Sequence, residues 1–177
     1  TDDFAAARNA ALDLSSAPWR LVLDADEWLA GPGHALAALR EQVPAFLGQI
    51  QVVSQFEGSD GLLQEAPSWI SRVLPRGVHY EGRVHEQPVA EAQELPRRRL
   101  DLRVLHDGYR SGQRARKQGR NQALLQQALQ ECPGDAYLLY QCGKDLELQG
   151  QHAQAMPFYE QALAGCDLQA LWRHDLV

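Results

Sequence analysis

An α/β core followed by an all-helical region is the fold class this chain predicts, and three observations predict it. Apolar residues recur at helical spacing near the start and then give way to a short apolar run, Arg20-Leu21-Val22-Leu23. Strand-like alternation returns at Gln49–Phe56 and at Leu100–Leu105. From Gln113 onward the period is helical. A chain of 177 residues with 45% hydrophobic side chains can bury one ordinary core plus a small appendage. No apolar run approaches the roughly 18 residues of a membrane span, so no transmembrane segment is expected.

The elements follow in order. Phe4, Ala7, Ala11 and Leu14 share a helical face, Ser15-Ser16-Ala17-Pro18 stops that helix, and Trp19 opens a strand. Gly31-Pro32-Gly33 makes a turn. A helix over His34–Gln42 points Leu36, Leu39 and Val43 inward and ends at Pro44. Ile50, Val52 and, after Ser54, Phe56 give the period of a half-buried strand. Glu57–Pro67 reads as a loop or long hairpin, Ile70–Leu74 and Val78–Tyr80 as short strands, and Arg76-Gly77 as the turn between them. In the next strand Leu100, Leu102 and Val104 alternate with Asp101 and Arg103. Beyond Gln113, Leu124, Leu125, Ala128 and Leu129 form one apolar stripe, and Pro133-Gly134-Asp135 ends one helix and starts another. Leu139, Gly143, Gly150, Ala155, Tyr159 and Ala162 fall at the offsets of a tetratricopeptide unit, from which Pro157 departs.

Asp24-Ala25-Asp26 delivers two carboxylates where an apolar strand leaves the core. Ligands of open α/β sheets bind at strand ends, and paired hard oxygen donors suit Mg²⁺ or Mn²⁺ carrying a phosphorylated substrate. Side chains two apart on an ideal strand stand roughly 6–7 Å from each other, so joint action on one ion requires a turn at Ala25. The alternative is a strand end followed by solvated acids, Glu27 included. The net charge of −6 is uneven. Residues 72–120 hold twelve of the seventeen Lys and Arg against six acids, which leaves the remainder at 5 − 17 = −12. Such a balance disfavours nucleic acid and suits a phosphate-bearing ligand at the basic middle; salt-sensitive phosphate or nucleic-acid binding there is the third-ranked function. Cys132, Cys142 and Cys166 lack metal-ligand spacing and read as reduced thiols of a cytoplasmic protein.

The order of an Ala-Arg-Asn helix, a polar break, an aromatic residue and Leu21-Val22-Leu23-Asp24-Ala25-Asp26-Glu27 resembles the central segment of family 2 glycosyltransferases with the GT-A fold. Ser71-Arg72-Val73-Leu74, Tyr80-Glu81-Gly82-Arg83-Val84-His85-Glu86 and Leu105-His106-Asp107-Gly108-Tyr109 are similar to motifs of a bacterial branch with helical repeats behind the catalytic core. The resemblance implies a partial, Rossmann-like GT-A core over residues 1–111 and a tetratricopeptide-like helical region over 112–177. It implies an inverting, metal-dependent transfer from a nucleotide-sugar donor to a glycan, lipid or protein acceptor. Asp24 and Asp26 would bind Mn²⁺ or Mg²⁺, with His85 or His106 completing the shell. Arg8, Asn9 and Arg72 would contact the donor.

Arg116 and Arg120, with Arg114 and Lys117, crowd a helix start that cations oppose, which the donor diphosphate or carboxylates of the catalytic section would relieve; the alternative is a solvated face. Glu86 is the candidate general base and Asp60 the second candidate. The strand and phosphate loop that begin a GT-A domain ought to precede Thr1, so the chain is expected to be truncated, or completed by pairing with another copy, and weak in turnover. The competing reading is a non-catalytic tetratricopeptide-type interaction module, binding a protein partner through its helices, on a degenerate α/β base.

Overall fold

The computed structural model describes the chain apart from residues 1, 32, 58–60, 110–113, 169, 171 and 177. It is a mixed α/β protein with two compact units. A sheet unit takes Ala5–Glu81 and Gln87–Lys117; a helical unit takes Thr1–Phe4, Gly82–Glu86 and Gln118–Val177. Among the described residues, no helix is long and apolar enough to cross a membrane.

The first elements are α1 (Phe4–Asp13), β1 (Trp19–Leu21), β2 (Glu27–Ala30), α2 (His34–Ala38) and β3 (Leu47–Glu57). They are followed by β4 (Leu63–Pro75), β5 (Val78–Glu81), β6 (Gln87–Ala90) and β7 (Arg97–Tyr109). Five strands form one sheet in the order β1-β4-β3-β7-β2, and β5 and β6 form a separate ribbon. β3 runs parallel to β7, whereas the β1–β4, β3–β4 and β2–β7 pairs are antiparallel.

Alternation along the strands divides the core between the sheet's two faces. Leu21, Ile50, Val52, Val73, Leu102 and Val104 pack with Phe46, Leu39 and Leu36. Val22, Leu47 and Leu74 pack with Ala5 and Leu12 of α1 and with Val78 and Tyr80. Gly48 lies in a register shift between β3 and β4, where a Cβ would fall 2.7 Å from both Leu100 Cδ1 and Val73 Cβ, so no larger residue fits without displacing the neighbouring strands.

Several boundaries differ from the sequence reading. β4 reaches back to Leu63, so Leu63–Pro67 of the segment read as a loop or long hairpin form one arm of the β3–β4 hairpin, in line with the second of those alternatives. The helix expected over His34–Gln42 breaks after Ala38 into a 3-10 turn, Leu39–Glu41. β2 and β6 were not expected, being four residues each, the second containing Pro88.

α3 (Arg114–Glu131), which belongs to the helical unit from Gln118 onward, is followed by α4 (Ala136–Leu148) and α5 (His152–Gly165). Asp135 caps α4 by accepting the Leu138 N–H at 2.9 Å. α5 is continuous through Pro157. Gly143 lets α4 approach Tyr159 of α5, because a Cβ there would stand 2.5–2.6 Å from the ring. The Tyr159 hydroxyl donates to Glu147 at 2.7 Å, and Tyr140 stacks on Trp172 while donating to Asp175. Val84 is buried with Leu124, Leu125, Ala128 and Leu138.

Candidate functional site

The Asp-Ala-Asp segment lies where the chain crosses from one edge of the sheet to the other, since β1 and β2 are the two edge strands. The Val22 N–H still bonds to the Arg72 carbonyl at 2.9 Å, and Leu23 packs with the Phe46 core. The backbone then turns through Ala25 and Asp26, closed by the Glu27 N–H on the Asp24 carbonyl at 3.0 Å. The turn at Ala25 is therefore present, but the two carboxylates take different partners.

Asp24 is held between two guanidiniums. Its Oδ1 is 2.7 Å from Arg8 Nη2 and its Oδ2 is 2.7 Å from Arg72 Nη2. The same Arg72 nitrogen reaches Glu27 Oε1 at 2.6 Å, while Glu27 Oε2 accepts the Asp24 backbone N–H at 2.9 Å. Exposure differs sharply within this network: the Glu27 and Arg72 side chains are 2% and 7% exposed, that of Asp24 38%. Arg8 lies over the Tyr80 ring at 5.3 Å, which fixes its approach from α1. Burial by itself would raise the Asp24 pKa; Arg72 and Arg8 together outweigh it and hold the carboxyl below its ordinary value.

Asp26 faces the opposite way in chemical terms. Its Oδ2 stands 3.4 Å from His106 Nε2, and His106 Nδ1 lies 3.2 Å from the hydroxyl of Ser54, its register partner across β3 and β7. A hydroxyl on one ring nitrogen leaves the other to meet a carboxylate or a cation.

The remaining candidates fall elsewhere. Asn9 uses its amide on the backbone of Tyr80, donating to the carbonyl at 2.9 Å and accepting the N–H at 2.7 Å. His85 and Glu86 belong to the helical unit. His85 has φ 53°, the one positive φ outside glycine among the described residues. Burial lowers its pKa, Glu86 opposes that, and Lys144 adds to it. Arg120, also in the helical unit, lies over the Phe4 ring at 4.8 Å. Asp60 and the side chain of Arg116 lie outside the described residues.

Two residues of the network escaped the sequence reading. Glu27, grouped with solvated acids, is the most buried carboxylate of the set; its signal was the three-residue spacing from Asp24 that lets it close a turn. Ser54 announced itself only as a break in the apolar alternation of β3. Among the described residues, no group of three or more His, Cys, Asp or Glu is placed to hold a metal ion unaided.

No protein-family model matches the chain. Over 166 residues, 92% of its length, it is 26% identical to the SPbeta prophage-derived glycosyltransferase SunS of Bacillus subtilis (strain 168). The same identity and coverage are found with glycosyltransferase SunS of Bacillus phage SPbeta. The chain spans 39% of the length of these relatives.

Proposed function

We propose that this chain is the donor-binding part of an inverting, family 2-like glycosyltransferase with a GT-A core and tetratricopeptide-like helices, using a nucleotide-sugar donor. The observation that carries the reading is the Asp24-Ala25-Asp26 turn, with Arg8 and Arg72 on its first carboxylate and His106 on its second. A sugar donor's diphosphate needs cations as the sugar departs, and guanidiniums bind phosphate oxygens through paired N–H groups. Similarity to two glycosyltransferases over most of the chain adds independent support.

A divalent ion fits the second carboxylate better than the first. Asp26 Oδ2 and His106 Nε2 offer one oxygen and one nitrogen donor 3.4 Å apart, close to the separation of adjacent ligands each roughly 2.1–2.3 Å from one ion. Asp26 and His106 would hold Mn²⁺ or Mg²⁺, whose remaining ligands would come from the donor's phosphates and water. Bound there, the ion would supply Lewis-acid stabilisation of the leaving diphosphate. Arg8 and Arg72 would orient the phosphates, and Ser54 would fix the His106 ring.

The test is thermal stabilisation of the chain by UDP, UDP-sugars and GDP-sugars with and without Mn²⁺. Ligand at about 100 times its Kd stabilises by roughly 2.7 kcal/mol, which moves a unit of this size by several degrees. Asp26→Asn and His106→Ala should each erase the manganese-dependent part. One observation favours a second reading, the interaction module: both oxygens of Asp24 are already engaged by arginines. That reading expects no metal-dependent shift with any nucleotide, and such a result would displace the transferase proposal.

A further inference from the structure

The Asp24 network holds one fixed counter-ion and one exchangeable counter-ion. Glu27 is almost fully buried, bonded to Arg72 and to the Asp24 N–H, so it keeps Arg72 in place whatever else happens at the turn. Asp24 sits on the same guanidinium and on Arg8, but its side chain is 38% exposed at the start of a turn, so its own carboxylate can rotate into water while Arg8, 17% exposed, is left to meet the incoming anion. Arg72 also keeps unused capacity. A guanidinium has five N–H donors, yet one terminal nitrogen serves both carboxylates, and the buried Nε has no acceptor. That leaves a side chain more than nine-tenths buried with an unsatisfied donor beside an exchangeable anion.

We propose that Arg8 and Arg72 form a diphosphate-binding site whose resident occupant is the Asp24 carboxylate, which an incoming diphosphate displaces from both arginines. The proposal rests on the donor-binding reading and adds a competitor within the protein itself. A carboxylate brings two oxygens and one charge, whereas a diphosphate brings more of both. Orthophosphate, with fewer oxygens to span the two arginines, displaces Asp24 poorly. The resident carboxylate thus screens out small anions and keeps two cations paired in the empty protein.

Isothermal titration of the full chain with inorganic pyrophosphate and with orthophosphate, metal chelated, tests this. Asp24→Asn should bind pyrophosphate about tenfold or more tighter than the natural sequence, since a charge-assisted competitor has been removed. Its preference for pyrophosphate over orthophosphate should narrow. Equal pyrophosphate affinity of the two proteins would overturn the proposal, as would tightening that survives Arg8→Gln in the Asp24→Asn background. Should Asp24→Asn fail to fold by circular dichroism, Arg8→Gln alone carries the test: a loss of about tenfold supports the site, and unchanged affinity overturns it. These outcomes are separable from the donor reading, which stands or falls on manganese-dependent stabilisation through Asp26 and His106.

Discussion

Replacing Arg72 by methionine removes the guanidinium while keeping most of the aliphatic stem. Glu27, 2% exposed, would then be a buried carboxylate whose remaining partner is the Asp24 N–H. Breaking one side of a buried ion pair costs about 3–5 kcal/mol because the surviving charge stays desolvated. Asp24 adds little to the loss, since it is partly solvated and retains Arg8. For a unit of roughly a hundred residues, about 3 kcal/mol lowers the melting temperature by at least 10 °C. Urea unfolding followed by tryptophan fluorescence reads this selectively, because Trp19, Trp28 and Trp69 lie in the sheet unit and Trp172 in the helical unit. A second substitution separates a lost interaction from an abandoned charge. Arg72→Met with Glu27→Leu removes both charges, and apolar replacement of a buried pair is often near neutral, so the double variant should recover at least half of the loss. A single-variant cost below about 1 kcal/mol, or a double variant as unstable as the sum of both singles, would refute the picture of a buried anchoring pair.

Gly143→Ala gains about 1 kcal/mol in helix propensity but places a methyl 2.5–2.6 Å from the Tyr159 ring. Overpacking costs about 1–3 kcal/mol, so circular-dichroism melts should show net destabilisation, which Tyr159→Leu in the same chain relieves. His85 has its pKa lowered in the fold chiefly by burial, with Glu86 opposing and Lys144 assisting. The unfolded chain therefore binds the extra proton first: stability from this residue is intact above the unfolded value of about 6.5 and falls as pH drops below it. Urea titrations at pH 7.5 and 5.5 should show that loss in the natural sequence and a smaller one in His85→Asn; equal losses would remove His85 from the account.

The parts of this fold that periodicity governs were legible, and the parts that depend on the partner of a short segment were not. Ile50, Val52, Leu102 and Val104 announce their strands because each faces a core at period two. β2 carries Glu27, Trp28, Leu29 and Ala30, too few for any period; only its pairing with His106–Arg103 of β7 makes it a strand. The helical offsets of Gly143 and Tyr159 were legible for a different reason: a close approach between helices demands a small residue opposite a large one, whatever else the sequence does.

The candidate site divides along the same line. The strand-turn that presents Asp24 and Asp26 could be read from three apolar residues, Leu21-Val22-Leu23, and a small one between two acids. Which partner each acid meets could not, because Arg8, Arg72 and His106 lie 16, 48 and 80 positions from their carboxylates. Sequence symmetry suggested two equivalent ligands of one ion. Tertiary placement gives one carboxylate to arginines and the other to a histidine, and under the proposed reading the pair has two jobs. Substituting the first should change how an anion is admitted, and substituting the second how a cation is held. Equal effects of Asp24→Asn and Asp26→Asn on manganese-dependent nucleotide binding and on metal-free pyrophosphate binding would restore the symmetric reading.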